Sequence, residues 1–374
     1  MIAPKLRFKA DDGNDFPELE AKSLFDICEY RNKQSVGKNY VGTENMKQNF
    51  SGLESLDEET EMKGVCYSKG DTLMSNIRPY LRKTWKADRE GVCSTDVLVF
   101  HPIDVASEYL HYLIASDKFI SYVMTGAKGV KMPRGDKEHM MKFSIMVPSL
   151  PEQQKIADFL STIDTIIEKQ QATVSAWEER KKGVMQKLFS QEVRFKADDG
   201  SDFPDWEEKE VKDVCSVATG KSNTQDKVDS GKYEFYVRSP IVEHSDKYLF
   251  DEEAVITVGD GVGTGKVFHY VNGKYNLHQR CYRMYDFMGV IGKYFFYFFS
   301  QNFYRRIKAM SAKTSVDSVR MEMITKMKMN VPSLPEQQKI ADCLSALDTV
   351  IEKQKETLEK WQELKKGLLQ QMFV

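Results

Sequence analysis

The sequence predicts a mixed α/β protein made of two globular α/β domains and two long helices that pack on each other. The first observation is a duplication: RFKADDG occupies residues 7–13 and 194–200, and VPSLPEQQKIAD occupies residues 147–158 and 331–342. The second is a heptad period after each longer motif, and the third is a strand-like run followed by a helical run before it. A repeat this long indicates a duplicated domain with its connector, hence a pseudo-twofold repeat, and not a solenoid of small units.

The repeat divides the chain into four segments. Residues 1–146 and 190–330 form the predicted globular domains, and residues 147–189 and 331–374 form the predicted helices. The helical segments begin with the same twelve residues and remain similar beyond them, whereas most of each globular segment has no recognisable counterpart in the other. One shared frame with two different contents predicts two related but distinct recognition domains.

Each helix is predicted to begin at a Ser-x-x-Glu motif. Ser149 to Glu152 and Ser333 to Glu336 have the form of a capping box, with Pro in the first turn, where its missing N–H does no harm. Apolar residues then follow in steps of four and three, the 3.5-residue period of a coiled-coil seam. The predicted seam comprises Ile156, Leu160, Ile163, Ile167, Trp177, Ile340, Leu344, Leu347, Ile351 and Trp361. Each helix would span on the order of 50 Å.

Both globular segments show the same order of short strands and helices. Residues 63–81 and 254–271 are strand-like runs broken by Gly and Asp turns, and residues 106–125 and 290–310 carry apolar residues at helical spacing. The order of elements therefore repeats even where the residues do not.

Charge is balanced over the whole chain but uneven locally. The sequence has 54 Lys and Arg against 56 Asp and Glu, a formal net charge of -2, so any affinity for nucleic acid must be local. Basic residues are concentrated in residues 118–142 and 303–328, among Gly, Ser and Thr that suit phosphate contacts. A solvated charged face is the alternative interpretation, and the recurrence in both halves favours binding.

The sequence contains no recognisable catalytic or metal-binding motif. Six widely spaced Cys form no CxxC pair, and six His have no ligand spacing, which predicts no bound metal and a reducing, cytoplasmic location. Residues 259–266 (GDGVGTGK) fail the spacing of a phosphate loop and predict a tight turn between strands. No apolar run approaches the length of a membrane span.

The repeated segments resemble one known family. PSLPEQQKIADFLSTIDTIIEKQ and PSLPEQQKIADCLSALDTVIEKQ, the KKGVMQKLF and KKGLLQQMF ends, and the DFPxxExK motif at residues 15–22 and 202–209 are similar to the DNA-specificity subunits of type I restriction-modification systems. The resemblance covers essentially the whole chain, although the variable domains resemble the family only in outline.

The resemblance implies a fold and a role for each segment. Residues 1–146 and 190–330 would be target-recognition domains, each reading one half of a bipartite double-stranded DNA site. The two conserved helices would pair as an antiparallel coiled coil and set the number of unspecified base pairs between the halves.

The resemblance also implies partners and cofactors. Two modification subunits would dock on the helices, bind S-adenosylmethionine and methylate adenine at N6, and restriction subunits can join them to give an ATP-driven nuclease. S-adenosylmethionine, ATP and Mg²⁺ would be bound only by those partners. The chain itself is expected to be a non-catalytic subunit without a cofactor.

Two sets of side chains are candidates for contact with these partners. Local charge selects the DNA-binding candidates Arg78, Lys131, Arg134, Lys137, Lys266, Arg305, Arg306, Lys313 and Arg320. Apolar residues off the seam at the helix ends, Phe189 and Phe373, are expected to contact another subunit. The alternatives are a protein-binding scaffold on a coiled coil and a fused methyltransferase, the latter disfavoured by the missing cofactor loop.

Overall fold

The structure is a computed structural model that describes residues 4–54, 56, 58–261, 263–310 and 318–373. The chain divides into two compact units. Unit 1 comprises Met1–Ala172 with Glu356–Val374, and unit 2 comprises Thr173–Lys355. Both units are mixed α/β, which confirms the predicted fold class. Among the described residues, no helix is both long and apolar enough to cross a membrane.

Unit 1 consists of short strands covered by helices. Its elements in chain order are β1 (Glu20–Ser23), α1 (Leu24–Ile27), β2 (Cys28–Arg31), β3 (Gln34–Gly37), β4 (Met62–Tyr67), β5 (Thr72–Ser75), a 3₁₀ turn (Pro79–Leu81), β6 (Thr84–Lys86), β7 (Gly91–Cys93), β8 (Val97–Pro102), α2 (Ser107–Ile114), α3 (Asp117–Thr125), α4 (Lys137–Met141), β9 (Ser144–Val147) and the first half of α5 (Leu150–Phe189). As described, these strands form sheets in the orders β2-β8-β5-β6, β3-β4-β7 and β1-β9. Phe100 of β8 packs with Leu113 of α2 and Phe119 of α3 in the core.

Unit 2 repeats this plan around a larger sheet. Its elements are the second half of α5, then β10 (Glu207–Glu210), a 3₁₀ turn (Val211–Asp213), β11 (Ser216–Thr219), a 3₁₀ turn (Thr224–Asp226), β12 (Tyr233–Tyr236), β13 (Glu243–Ser245), β14 (Phe250–Val258), β15 (Phe268–Leu277), β16 (Cys281–Tyr285), α6 (Gly292–Met310), α7 (Met321–Thr325), β17 (Lys328–Val331) and the first half of α8 (Leu334–Met372). The described strands form a sheet in the order β11-β16-β14-β15-β12-β13 and a β10-β17 pair. Stacked Phe295, Phe299 and Phe303 line the buried face of α6.

The two long helices pair antiparallel within each unit. In unit 1, Asp164 of α5 bonds to Lys365 of α8 at 2.5 Å, and the core joins Leu160 of α5 to Leu369 nearer the end of α8. In unit 2, Glu178 of α5 pairs with Lys355 of α8, and the later Lys181 pairs with the earlier Asp348. In both units, residues later in α5 therefore contact residues earlier in α8, which is the arrangement of an antiparallel pair.

The predicted seam residues are all at least partly shielded from solvent. Ile156, Leu160, Ile163, Ile340, Leu344 and Ile351 are buried, and Ile167, Trp177, Leu347 and Trp361 are half-buried. The four domain limits proposed from the sequence remain predictions, because α5 and α8 each contribute to both compact units.

The helices begin where the sequence predicts, but the capping box is wrong. The helices start at Leu150 and Leu334, whereas the side chains of Ser149 and Ser333 make no hydrogen bond within the described residues. The glutamate of each motif instead accepts hydrogen bonds from an arginine at the start of a hairpin that recurs in both units, in which Lys9 pairs with Asp15 and Lys196 with Asp202. Glu152, 1% exposed, accepts two hydrogen bonds from Arg7, at 3.1 and 2.6 Å.

Unit 2 repeats this buried ion pair. Glu336, which is fully buried, accepts hydrogen bonds from Arg194 Nε at 3.0 Å, Arg194 Nη2 at 2.8 Å and Trp206 Nε1 at 3.0 Å. Hydrogen bonding to Glu336 raises the pKa of Arg194, so the guanidinium stays charged. The arginine and the helix N-terminus both stabilise the buried carboxylate.

A lysine, an aspartate and a tyrosine form a second repeated contact between each helix pair and its globular part. In unit 1, Lys365 and the Tyr112 hydroxyl both bond to Asp164, the hydroxyl at 2.8 Å, and the ammonium lies 5.6 Å from the Tyr112 ring centre. The equivalent group of unit 2 is Lys181, Asp348 and Tyr297, with the hydroxyl 2.6 Å from the carboxylate and the ammonium 5.1 Å from the ring centre. These charged contacts between α5 and α8 therefore specify the register of the helix pair.

Loss of the arginine that binds Glu336 should destabilise unit 2. We expect Arg194→Ala to lower the free energy of unfolding by about 3 kcal/mol, because it leaves the Glu336 carboxylate buried without its cation. Lys196→Ala is the matched control, since Lys196 lies in the same hairpin in an exposed pair with Asp202 and should change stability by less than about 0.5 kcal/mol. Urea denaturation of the full chain measures both, and equal effects would contradict the prediction.

Acid should destabilise unit 1 through one histidine. Burial, with the charges of Lys365 and Lys86, lowers the pKa of His111 to about 3, and its Nδ1 has no hydrogen-bond partner among the described residues. Below about pH 6.5, His111 binds a proton in the unfolded chain but stays neutral in the folded chain. The free energy of unfolding is therefore highest above this pH and decreases as the pH falls toward 3.

We therefore expect His111→Gln to weaken the pH dependence of stability. Between pH 6.5 and 5 the variant should lose about 1–2 kcal/mol less than the parent chain. Exposed His244→Gln serves as the control and should follow the parent. Urea midpoints at several pH values test this, and parallel curves for all three proteins would show that His111 is not the titrating group.

Candidate nucleic-acid interface

Arg134 and Arg78 lie together at one end of the unit 1 sheet. Arg134 forms a fork on Asp96, with Nε 3.1 Å from Oδ1 and Nη2 3.3 Å from Oδ2, and its side chain is half exposed. Arg78 adopts a left-handed backbone with φ of 51°, and its N–H donates to the carbonyl of Pro133 at 2.8 Å. Its Nε is buried without a hydrogen-bond partner in the described part of the chain. Backbone strain of this kind is concentrated at functional sites.

The two lysines predicted in this region have different surroundings. Lys137 donates to the Tyr30 hydroxyl at 2.7 Å and lies 4.7 Å from the centre of its ring. Lys131 is exposed in the loop before α4. Their ammonium groups are solvent-accessible charges of the type that contacts phosphates.

The predicted residues of unit 2 separate into exposed and structural ones. Lys266 and Arg305 are exposed, and Lys266 lies 5.7 Å from the Tyr304 ring centre. Arg306 donates instead to the carbonyls of Met323 at 2.8 Å and Lys326 at 2.7 Å, so its guanidinium fastens α7 to α6.

The remaining two predicted residues are Lys313 and Arg320. Arg320 is largely exposed at the start of α7, 3.8 Å from Glu322. Lys313 lies outside the described residues. The DNA-binding role of all nine residues remains a prediction.

Sequence reasoning missed a group of polar residues in unit 2. Arg238 and Arg280 both bond to Asp260, at 3.2 and 2.7 Å, and their side chains are 43% and 58% exposed. Burial raises the pKa of Asp260, but the hydrogen bonds from the two arginines outweigh it and lower that pKa below its ordinary value. The carboxylate is therefore ionised and holds both arginines. Because these three residues are far apart in sequence, they form no local cluster of charge. A count of charged residues along the chain therefore does not detect them.

Exposed amides and a histidine adjoin this group. Gln279 donates to the side-chain oxygen of Asn223, and the Gln279 backbone N–H donates to the carbonyl of Ser222 at 2.8 Å. Burial and the charge of Arg238 lower the pKa of His278, whose Nδ1 accepts from the Arg280 backbone N–H at 3.1 Å. Arg, Asn and Gln are the side chains that pair bidentately with base edges.

The glycine-rich residues around Asp260 form a turn, as predicted. They connect β14 to β15, with the Val267 N–H donating to the carbonyl of Gly263 at 3.1 Å and Thr264 Oγ1 to the carbonyl of Gly261 at 2.6 Å. Among the described residues, no group of three His, Cys, Asp or Glu is placed to hold a metal ion.

The expectation for Phe373 is wrong. Its ring is 1% exposed, lies 5.3 Å from that of Tyr109 and belongs to the core of unit 1, so it cannot present an apolar surface to another subunit. Phe189 is half-buried against Tyr294 and Phe298 of α6. The helix ends attach to globular cores of this chain, which a heptad pattern does not reveal.

The chain matches the sequence model of one family in both halves. The model is described as the type I restriction modification DNA specificity domain, and it matches residues 17–175 and 204–360. The specificity subunit of the type I restriction enzyme MjaVIII of Methanocaldococcus jannaschii is 26% identical over 304 residues, which cover 73% of this chain and 72% of that one. The EcoDI specificity subunit of Escherichia coli is 26% identical over 166 residues, 44% of this chain and 36% of that one.

Solved structures share the fold. The S subunit of a type I restriction-modification system from M. genitalium superimposes with a TM-score of 0.62 at 13% identity, covering 100% of this chain and 99% of that one. A chain from a study of assembly and conformational transition in the type I system gives 0.55 at 18% identity, covering 95% and 97%. The duplicated family match and the fold agree with the repeated units described above. This chain belongs to the type I restriction-modification DNA specificity family.

Proposed function

We propose that this chain reads a bipartite DNA sequence for a type I restriction-modification complex, with one half-site read by the globular part of each unit. The observation that carries the proposal is the contrast between repeated and unrepeated side chains. The ion pairs at the helix starts and the Lys-Asp-Tyr groups recur in both units, whereas the exposed residues at the sheet ends differ. Two asymmetric half-sites require such a constant frame with two different reading surfaces.

Local basic charge supports DNA as the ligand. Exposed Lys131 and Arg134 in unit 1, and exposed Lys266, Arg280 and Arg305 in unit 2, lie in a chain whose net charge is only -2. Phosphate contacts of this kind fix a protein's position on a duplex, and base contacts then supply sequence preference. A scaffold for protein partners would not need arginines that present several unused donors.

The partners and cofactors follow from the family. Two modification subunits would dock on the helix pair, bind S-adenosylmethionine and methylate one adenine on each strand at N6, and restriction subunits would bring ATP and Mg²⁺. The specificity chain would contribute no catalytic group, since extrusion of the target base and methyl transfer belong to the modification subunit.

The experiment that tests the function maps N6-methyladenine by long-read sequencing. Cells that express the modification gene are compared with and without the gene for this chain. We expect one bipartite motif to lose methylation upon deletion and to regain it upon complementation. An unchanged methylome, with the modification subunit present, would reject the proposal and favour a scaffold.

The helix pair should set the distance between the two half-sites. Seven residues added to α5 between Asp164 and Lys181, together with seven added to α8 between Asp348 and Lys365, keep both ion pairs and lengthen each helix by about 10 Å. We expect the unspecified gap in the methylated motif to grow by about three base pairs, with both half-sites unchanged.

Insertion into α5 alone is the matched control. It shifts one ion pair out of register by two turns, so we expect it to lower stability and methylation together. A gap that stays constant in a stable, active double-insertion variant would show that the helices do not measure the distance. Methylome sequencing of cells expressing each variant provides the measurement.

A further inference from the structure

Two loops at the sheet ends correspond position by position between the units. Ser75 pairs with Val97 in unit 1 as Val258 pairs with Cys281 in unit 2. One residue further on, the Asn76 N–H donates to the carbonyl of Asp96 at 2.8 Å. Correspondingly, the Gly259 N–H donates to the carbonyl of Arg280 at 2.8 Å. Asp96 and Arg280 therefore occupy equivalent positions.

The next residues correspond in the same way. An isolated antiparallel bridge joins Ile77 to Arg134 in unit 1 and Asp260 to Ser318 in unit 2. The following residue has a positive φ in both units, 51° at Arg78 and 84° at Gly261. The shared bridge and the shared backbone conformation show that three positions of unit 1 correspond to three positions of unit 2. These positions are Ile77, Asp96 and Arg134 in unit 1, and Asp260, Arg280 and Ser318 in unit 2; we call each set a loop triad.

Each loop triad contains one arginine and one aspartate, but at different positions. In unit 1 the arginine stands at the third position and bonds to an aspartate at the second. In unit 2 the arginine stands at the second position and bonds to an aspartate at the first. The side chains of Arg134 and Arg280 are 50% and 58% exposed. The backbone is thus conserved between the units while the exposed charges have changed places.

Stability does not explain these ion pairs. Exposed pairs of this type contribute little to folding, and the buried Glu152 and Glu336 pairs already secure each unit. What the aspartates do is hold each guanidinium in one orientation, and Arg134 and Arg280 retain donors that the carboxylate does not occupy. A guanidinium fixed at a strand end and open to solvent is prepared for a planar acceptor pair, such as O6 and N7 of guanine.

We propose that the loop triads are specificity-determining positions, and that Arg134 and Arg280 each recognise a guanine, one in each half-site. The inference rests on the proposed function and assigns the base contact to individual residues. The arginine and the aspartate stand at different positions in the two triads, although the backbone is the same. This difference accounts for the recognition of two different half-sites.

The test uses the full chain assembled with its modification subunit and duplex DNA in which each half-site position is randomised. Arg280→Lys and Arg134→Lys keep the positive charge but lose the two-pronged donor. We expect each variant to lose its preference for guanine at one base pair by roughly tenfold or more, with Arg280→Lys affecting one half-site and Arg134→Lys the other. Methylation of each sequence in the library gives the preference.

Arg89→Lys is the matched control, because Arg89 is also exposed and held by carboxylates, those of Asp88 and Glu58, but lies outside the triads. It should keep every preference. Wild-type preferences in both triad variants would overturn the inference, and so would a uniform loss of methylation in correctly assembled variants, which indicates a phosphate contact. Absence of any bipartite preference in the wild-type complex would instead reject the proposed function itself.

Discussion

A buried ion pair at the start of each long helix determines how the rest of the structure is attached. Glu336 has no solvent exposure, so its charge is tolerated only because Arg194, Trp206 and the helix N-terminus surround it. The arginine simultaneously donates to the carbonyl of Pro204, at 2.7 Å, and thereby holds the hairpin that leads into the globular part. The same contact, between Arg7 and Glu152, recurs in unit 1. Identical residues are retained at both places because the geometry of attachment is identical.

The Lys-Asp-Tyr groups extend this control along the helices. An apolar seam alone tolerates sliding by a heptad, whereas a lysine that must meet a carboxylate selects one register. Because Tyr112 and Tyr297 extend from helices of the globular parts, the groups fix each reading surface against the helix pair as well as the helices against each other. Rigid attachment is what a device that reads two separated sequences requires.

Sequence reasoning succeeded for features that neighbouring residues determine and failed for features that depend on residues distant in sequence. The helix starts and the turn were predictable because neighbouring residues decide them. The capping box failed because Glu152 found Arg7, 145 residues away in sequence, a stronger partner than the neighbouring serine. Local charge density selected the exposed Arg134, but it also selected Arg306, which binds carbonyls, and it passed over Arg280, whose partner Asp260 lies 20 residues away in sequence. The prediction that Phe373 contacts another subunit was wrong for the same reason.

Unit 1 is made of two separate segments of the chain, and this affects the order in which the two units can fold during synthesis. Unit 2 is continuous in sequence, whereas the core of unit 1 includes Leu369, Met372 and Phe373, and the Lys5 N–H bonds to the carbonyl of Gln371 at 2.9 Å. The core of unit 1 is therefore completed only after unit 2 has been translated, because it lacks Leu369, Met372 and Phe373 until then. A nonsense codon just before Leu369 would damage unit 1 rather than unit 2.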